Sequence, residues 1–264
     1  MTSSGILQGK RAVVFGAGSS IGAAVAREFA AEGAEVYLSG RNKPNVEEVK
    51  RAIEGAGGKV HTSIVDALDD KAVGKYLEEV VAKAGRVDIE FNTVGPLASD
   101  YGSGKQAVDL TIDEYMVALS TIAKSRIITA RNAARQMIKQ GSGVIIGITG
   151  SPARGHVAGA TSIGTTFGAI ETFLENLAFE LGPKGVRVVC LRITANADST
   201  AIRATARALN VPEEQWTSGL ANMNFLKTPM KVSDTAKAAA LIASDRFRML
   251  TGTVVNCSAG AAMD

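Results

Sequence analysis

Short apolar segments alternate with helical segments along the whole of this 264-residue chain. The apolar segments at 12–15 and 143–149 lack the alternating polar residues of a half-exposed strand, which is typical of strands covered on both faces. Strands that alternate strictly with helices predict a parallel sheet joined by right-handed helical crossovers. The predicted fold class is therefore α/β, with a doubly wound, seven-stranded parallel sheet.

The pattern runs through the chain without a break. The predicted strands span 12–15, 35–38, 60–65, 87–92, 143–149, 186–193 and 253–257. The predicted helices span 20–32, 45–54, 69–83, 112–139 (with an apolar stripe beginning at Ile112), 162–181, 199–208 and 233–244. No linker divides the chain, so we predict one domain over 1–264. The segment 195–230 is more polar and less regular, and we expect it to form a small lid over a ligand crevice.

Composition and charge exclude several classes of protein. The net charge of +3 is small and the basic residues form no stripe, so nucleic acid is not an expected partner. The N-terminal residues lack the apolar region of a signal peptide, and the longest apolar runs are too short to span a membrane. Cys190 and Cys257 lie in apolar strand segments, as expected of buried thiols. These features predict a cytoplasmic protein that does not contact a membrane.

A glycine-rich loop, Gly16-Ala17-Gly18-Ser19-Ser20-Ile21-Gly22, joins the first predicted strand to the first helix. Glycines allow a tight turn and a close approach of the backbone to a phosphate group, and the helix N-terminus offers free N–H groups and a positive dipole end. The loop therefore predicts a phosphate-binding cradle. The alternative, a turn with a purely structural role, remains open at this stage.

The end of the second strand indicates which dinucleotide would bind. A fold selective for NAD carries a carboxylate here to hold the ribose hydroxyls. This chain has Gly40 in that place and Arg41 beside it, and a guanidinium suits a 2′-phosphate. NADP(H) is the expected dinucleotide. The alternative for Arg41 is a solvated side chain at a strand end.

These features, with further motifs, resemble the short-chain dehydrogenase/reductase family over nearly the whole chain. The further motifs are Asp66 after strand three, Asn92-Thr93-Val94-Gly95 after strand four, and the late groups Ala243-Ser244-Asp245, Thr251-Gly252 and Ser258-Ala259-Gly260. The resemblance implies a Rossmann-type fold, a small-molecule substrate and a homo-oligomer, either a dimer or a tetramer. It implies no metal.

The resemblance also implies which residues hold the cofactor, NADP(H). Those around the pyrophosphate would be Gly16, Ser19, Ser20, Ile21 and Gly22. Arg41 would hold the adenosine phosphate, and Asp66 and Ala67 would border the adenine. The residues that line the ribose side would be Asn92, Val94 and Gly95.

The catalytic half of the chain departs from the family pattern. The family uses an Asn, a Ser, a Tyr and a Lys, with the Tyr transferring the proton and the Lys lowering its pKa. Aligning the surrounding helices places Ile122, Gly150, Ile163 and Phe167 at these four positions. None of the four can exchange a proton, so ordinary carbonyl reduction by the family mechanism is disfavoured.

Two nearby residues are candidates to replace the missing catalytic side chains, although the sequence does not identify the catalytic group itself. Ser151 follows strand five and could bond to a substrate oxygen, or it could cap its own turn before Pro152. His156 lies in the loop beyond and could act as a general acid, or it could be a solvated loop residue. Weaker candidates for substrate contact are Arg192, Asn196 and Asp198.

Glu90 lies inside a strand that should be central. A buried carboxylate is costly, so we expect Glu90 to pair with a cation or to be partly protonated. Structural pairing is the first interpretation, and a proton donor recruited for catalysis is the second.

Three functions fit the sequence. The first is an NADP(H)-dependent oxidoreductase with a non-standard active site, acting on an activated double bond or a carbonyl. The second is a catalytically inactive protein that keeps the fold for binding or regulation. The third is a non-redox cyclase or isomerase that uses the same pocket. Because a fold does not dictate a function, all three remain open at this stage.

Overall fold

The structure is a computed structural model that describes residues 5–208 and 210–263. Within these residues, seven strands form one sheet in the order β3-β2-β1-β4-β5-β6-β7, and every neighbouring pair is parallel. The strands are β1 (Arg11–Phe15), β2 (Glu35–Gly40), β3 (Val60–Ile64), β4 (Ile89–Asn92), β5 (Gly143–Gly150), β6 (Val186–Ile193) and β7 (Thr253–Cys257). The predicted doubly wound parallel sheet is confirmed.

Helices cover both faces of the sheet. They are α1 (Ser20–Ala31), α2 (Lys43–Gly55), α3 (Asp70–Ala84), α4 (Ile112–Ala118), α5 (Lys124–Gln140), α6 (Thr161–Leu181), α7 (Thr200–Ala208), α8 (Glu213–Asn222) and α9 (Val232–Ala243). One apolar cluster joins α1, α2 and α9 to one face, and a second joins α3, α5 and α6 to the other. Adjacent β1 residues serve opposite faces, because Val13 belongs to the second cluster and Val14 to the first. Burial on both faces explains why the strands carry continuous apolar runs.

The structure corrects the predicted helix over 112–139. A π-helical turn, Leu119–Ala123, separates α4 from α5. Such a turn carries an extra residue and changes the phase of the apolar stripe. Ile112, which was predicted to begin that stripe, is the first residue of α4 and is 77% exposed.

The segment 195–230 is more regular than its sequence indicates, since it contains α8 as well as the predicted α7. Ala221 is the buried residue of α8, so this helix has no apolar stripe from which it could be predicted.

The strand order places a crevice at one edge of the sheet. From β1 the chain winds outward through β2 to β3, and then returns to β4 on the other side of β1. The connections that leave β1 and β4 therefore run to opposite faces and separate at the carboxyl ends of these strands. In doubly wound folds this point of reversal is where ligands bind.

An ion pair is buried between the sheet and α6. Arg192 of β6 donates from Nε to Glu171 Oε1 at 2.8 Å and from Nη2 to Glu171 Oε2 at 2.9 Å. Both side chains are 1% exposed, and Thr149 Oγ1 also donates to Glu171 Oε1 at 2.9 Å. Arg154, which is 54% exposed, lies 3.8 Å from the same carboxylate. Glu171 therefore contacts one guanidinium in the core and a second near the surface.

These two arginines provide a matched test of burial. We expect Arg192→Met to lower the free energy of unfolding by about 3–5 kcal/mol, because it strips a buried carboxylate of its main ionic partner. Arg154→Met should cost less than about 1 kcal/mol, as solvent screens that contact. Urea denaturation of both variants measures the difference. Similar small losses in both would contradict the role given to the buried pair.

Candidate nucleotide-binding and active site

A cavity of about 240 Å³ lies at the point where the sheet reverses direction. Its lining includes these predicted nucleotide-site residues: Gly16, Ser19, Arg41, Asp66, Ala67, Val94 and Gly95. Also in the lining, and not assigned from the sequence, are Gly18, Gly40, Asn42, Asn45, Val46, Val65 and Thr93. A larger groove of about 660 Å³ lies between α3 and α5, away from the strand ends, and most of its lining is long polar side chains. The position of the smaller cavity, rather than its size, makes it the candidate site.

The glycine loop folds tightly against the end of β4. Gly16 has φ +74°, and a Cβ atom there would lie 2.8 Å from Thr93 Oγ1. A Cβ on Gly22 would lie 2.4 Å from the Gly16 carbonyl oxygen. Side chains at these two positions would force the loop apart. Ser19 caps α1 by accepting a hydrogen bond from Gly22 N at 3.0 Å, so the positive end of this helix faces the loop.

The start of α2 adds a second helix N-terminus to the cavity. Asn42 caps this helix by accepting a hydrogen bond from Asn45 N at 3.1 Å. A Cβ on Gly18 would lie 2.9 Å from Asn45 Cβ, so the glycine loop lies directly against α2. Arg41 is exposed beside this cap. An asparagine before a helix with Pro44 in its first turn is a recognisable capping signal, so Asn42 could have been found from the sequence.

The remaining predicted cofactor residues, Ser20, Ile21, Gly22 and Asn92, lie outside the cavity lining. Ser20 Oγ lies 2.6 Å from Thr200 Oγ1 and accepts a hydrogen bond from Thr200 N at 2.8 Å, which ties the first turn of α1 to the start of α7. Ile21 packs against an apolar cluster. Asn92 is buried and accepts a hydrogen bond from Val94 N at 2.7 Å. These residues support the cavity walls from behind or from the side.

The four residues that alignment places at the family's catalytic positions lie in or beside one apolar cluster. Ile122 lies in the π turn, and Ile163 and Phe167 lie on α6. All three belong to or pack against the same apolar cluster. Gly150 ends β5, and a Cβ there would lie 2.8 Å from the Phe167 ring, so the ring lies flush against this strand end. These residues can exclude water, but they offer no group that exchanges a proton.

Two tyrosines approach α6 from other elements. The Tyr115 hydroxyl lies 2.7 Å from Thr165 Oγ1 on the exposed side of α6. The Tyr101 ring packs against the same cluster as Phe167, and burial raises the pKa of its hydroxyl. Among the described residues, neither hydroxyl bonds to a lysine. The structure therefore does not rebuild the tyrosine–lysine pair from elsewhere in the described chain.

Ser151 and His156, the two candidates to replace the missing catalytic side chains, differ in their exposure to solvent. Ser151 is 7% exposed, and its Oγ lies 3.5 Å from Thr194 Oγ1 at the end of β6. Its carbonyl oxygen accepts hydrogen bonds from Arg154 N and Gly155 N, so Ser151 also shapes its own turn. His156 is exposed in the loop beyond. Thr194 had no distinguishing signal in the sequence, because only the pairing of β5 with β6 brings it to Ser151.

The weaker candidates for substrate contact prove to have structural partners. Arg192 lies in the buried ion pair with Glu171. Asn196 Oδ1 accepts a hydrogen bond from Thr235 Oγ1 at 2.9 Å, and Asp198 Oδ1 accepts one from Val232 N at 2.9 Å. The last two contacts attach the connection after β6 to the first turn of α9. Each of these three side chains thus has a partner within the fold, and none of them lines the cavity. Their contact with a substrate stays a prediction.

Glu90 is buried on the face of the sheet that α5 covers. Burial raises the pKa of its carboxyl to about 7, against hydrogen bonding from Thr129 and the charge of Arg126, which lower it. Burial also lowers the pKa of Arg126 to about 10. Glu90 Oε1 and Arg126 Nε have no hydrogen-bond partner among the described residues. The expected cation is therefore present, but it compensates the carboxylate only in part, and Glu90 titrates near neutral pH.

The fold agrees with comparisons to known proteins. The family profile described as enoyl-(acyl carrier protein) reductase matches residues 16–262. The 7alpha-hydroxysteroid dehydrogenase of Escherichia coli (strain K12) is 27% identical over 98% of this chain and 96% of its own. The chain belongs to the short-chain dehydrogenase/reductase family of oxidoreductases.

Solved structures show the same similarity. A 7α-hydroxysteroid dehydrogenase complexed with NADH and 7-oxo glycochenodeoxycholic acid has a TM-score of 0.85 and 25% identity, covering 100% of this chain and 99% of that one. A short-chain dehydrogenase from Burkholderia cenocepacia J2315 in complex with NADP has a TM-score of 0.82 and 26% identity, covering 97% and 98%. Relatives of this chain thus hold either form of the coenzyme.

The described residues contain neither a metal-binding cluster nor a membrane-spanning helix. Across residues 5–208 and 210–263, no group of three or more His, Cys, Asp or Glu side chains is placed to hold a metal ion. In the same residues, no helix has the length and apolar character needed to cross a membrane.

Glu90 should make the stability of the protein depend on pH. Its carboxyl ionises near 4.5 when solvated and near 7 when folded, so the unfolded state releases the proton first as the pH rises. We expect the free energy of unfolding to fall by up to about 3 kcal/mol between these values, with no further loss from Glu90 above them.

Urea denaturation between pH 4.5 and 8 tests this dependence. Glu90→Gln should flatten the profile over that window, whereas Glu180→Gln, which changes an exposed carboxyl, should not. An unchanged slope in Glu90→Gln would show that another group titrates.

Proposed function

We propose that this chain is an NADP(H)-dependent oxidoreductase with a non-standard active site. The observation that carries the proposal is one cavity where the glycine loop, Arg41 and the Val94–Gly95 wall meet. Two helix N-termini and one guanidinium border it, and these donors suit the phosphates of a dinucleotide. The lack of room for a Cβ at Gly16 and Gly22 fits a loop on which phosphate lies close to the backbone. When bound, the nicotinamide would supply hydride transfer.

The second strand supports NADP(H) over NAD(H). Gly40 ends β2 without a carboxylate to hold the ribose hydroxyls, and Arg41 follows, directly before Asn42, the residue that caps α2. The guanidinium and the capped helix start both favour a 2′-phosphate. The similar structures carry NADH in one case and NADP in the other, so the local residues are the better guide.

The residues beside the cavity suit a substrate that supplies its own stabilisation. Ile163 and Phe167 exclude water, and the hydroxyls of Ser151 and Thr194 can orient a substrate oxygen. Hydride addition to a simple ketone leaves an alkoxide that needs prompt protonation. Addition to a double bond conjugated with a carbonyl leaves a delocalised enolate. Because its charge is spread over several atoms, the enolate does not need a proton donor in the site at once. An activated double bond is therefore the favoured substrate class, ahead of an isolated carbonyl.

The apolar catalytic positions also favour a second candidate function. A protein that binds the nucleotide for regulation needs the cavity but no proton donor, and Ile122, Ile163 and Phe167 provide none. Tight NADPH binding without turnover across a broad panel of enones and ketones would support this alternative. A non-redox cyclase or isomerase would also bind NADPH without oxidising it in that panel. Detection of products formed without nicotinamide oxidation would identify such an enzyme.

The proposal also covers the lid, the partners, the compartment and the oligomeric state of the protein. Residues 195–230 would act as a lid within the single domain, which the contact between Ser20 and Thr200 supports. The substrate would be a small molecule, with no nucleic acid or membrane as partner. The protein would work in the cytoplasm as a homodimer or homotetramer, and the 86% exposed Phe179 on α6 favours such an assembly.

The role of Arg41 can be tested by coenzyme preference. We expect Arg41→Ala to weaken NADPH binding by about tenfold or more and to leave NADH binding nearly unchanged, because only NADPH has the 2′-phosphate. Arg51→Ala, on the exposed side of α2, is the matched control and should change neither. Calorimetry measures each dissociation constant. Equal affinity of the wild-type protein for both coenzymes would contradict this assignment.

The role of Ser151 can be tested by turnover of the best substrate from a panel of conjugated enones and ketones. Ser151→Ala should lower kcat/KM by about tenfold, because it removes a hydroxyl aimed at the substrate oxygen. His156→Ala should have a smaller effect, since His156 is exposed. Full activity in both variants would dismiss both residues. A larger loss in His156→Ala would reverse the assignment.

A further inference from the structure

Arg126 has an unusual position for a cation. It lies on α5, four residues after Ile122, and is 6% exposed. Its Nη1 donates to Asn92 Oδ1 and to the Val94 carbonyl oxygen, the latter at 3.1 Å. Asn92 ends β4, and Val94 belongs to the turn that follows and lines the nucleotide cavity. The guanidinium therefore contacts the cavity wall from inside the protein.

Hydrogen bonds fix this turn on every side. Asn92 Oδ1 accepts from Val94 N at 2.7 Å as well as from Arg126, and Asn92 Nδ2 donates to Thr129 Oγ1 at 2.9 Å. The amide and the carbonyl of Val94 are thus both held from inside the protein. The next residue, Gly95, would place a Cβ 3.6 Å from Ile122 Cγ1, so the wall also borders an apolar catalytic position.

A buried charge is an expensive way to hold a turn. Glu90 compensates Arg126 only in part, and Arg126 Nε has no hydrogen-bond partner among the described residues. Apolar residues of similar size at positions 90 and 126 would often give equal or greater stability. Stability alone therefore does not account for this arrangement, whereas a fixed cavity wall does.

We propose that Arg126 is a positioning residue, which holds the turn from Asn92 to Val94 in the shape that the ribose–nicotinamide half of the dinucleotide requires. This inference rests on the proposed nucleotide site. The family's lysine position on α6 is Phe167, so the ribose side receives no ammonium from there. Arg126 instead fixes the backbone of Val94 on the ribose side of the cavity, and it does so without contacting the ligand.

The test compares two ligands that share one half. NADPH occupies the whole site, whereas adenosine 2′,5′-bisphosphate occupies only the end near Arg41. We expect Arg126→Met to weaken NADPH binding by about tenfold or more and to change bisphosphate binding by less than about twofold. Arg126→Lys keeps the charge and one donor, and it should recover part of the NADPH affinity. Calorimetry gives both constants.

Controls separate positioning from general damage. Arg131→Met removes a 46% exposed guanidinium from the same helix and should change neither constant. The double variant Glu90→Gln, Arg126→Met leaves no lone buried charge, so it keeps the test usable if the single variant fails to fold. Hydrogen exchange at residues 93–95 should quicken in both Arg126→Met variants without ligand, and amides of α9 should not change.

Three outcomes would overturn the inference in distinguishable ways. Wild-type NADPH affinity in a folded Arg126→Met variant, or in the double variant, would show that the guanidinium has no positioning role. Equal weakening of the binding of NADPH and of the bisphosphate would show general damage to the cavity. Failure of the wild-type protein to bind either ligand would overturn the proposed nucleotide site, and this inference with it.

Discussion

Helices bury both faces of the parallel sheet, and this burial dictates where a ligand site can form. Apolar strands covered by helices on each side must reverse their winding direction somewhere, and here the reversal falls between β1 and β4. The loops after these two strands separate at that point and leave a cavity. The glycine loop, the start of α2 and the turn after β4 meet there because the topology brings them together.

Buried charges are the second feature that organises the molecule. Glu171 and Arg192 form an ion pair within the core, whereas Glu90 and Arg126 each keep a buried polar atom without a hydrogen-bond partner among the described residues. The ion pair joins α6 to β6. The other two groups lie behind the cavity wall, where burial raises the pKa of the Glu90 carboxyl to about 7. A fully matched pair suits a structural joint, and an imperfect one suits a place where function outweighs stability.

The sequence predicted the regular elements well and some local features poorly. The sequence located all seven strands of the described chain, and the central strands carry the continuous apolar signal that burial on both faces leaves. Helix α8 gave no such signal because Ala221 is its buried residue. Ile112 was misplaced because it is the first residue of α4 and faces solvent, and the π turn at Leu119–Ala123 has no clear mark in the sequence.

Local composition and spacing are enough to predict the succession of strands and helices along the chain, the glycine loop, the arginine after β2 and the apolar residues that alignment places at the family's catalytic positions. The contacts of Arg126 with Val94, of Arg192 with Glu171 and of Thr194 with Ser151 become visible once the chain is folded. Such contacts join residues 21 to 43 positions apart, and their geometry depends on how helices pack on the sheet.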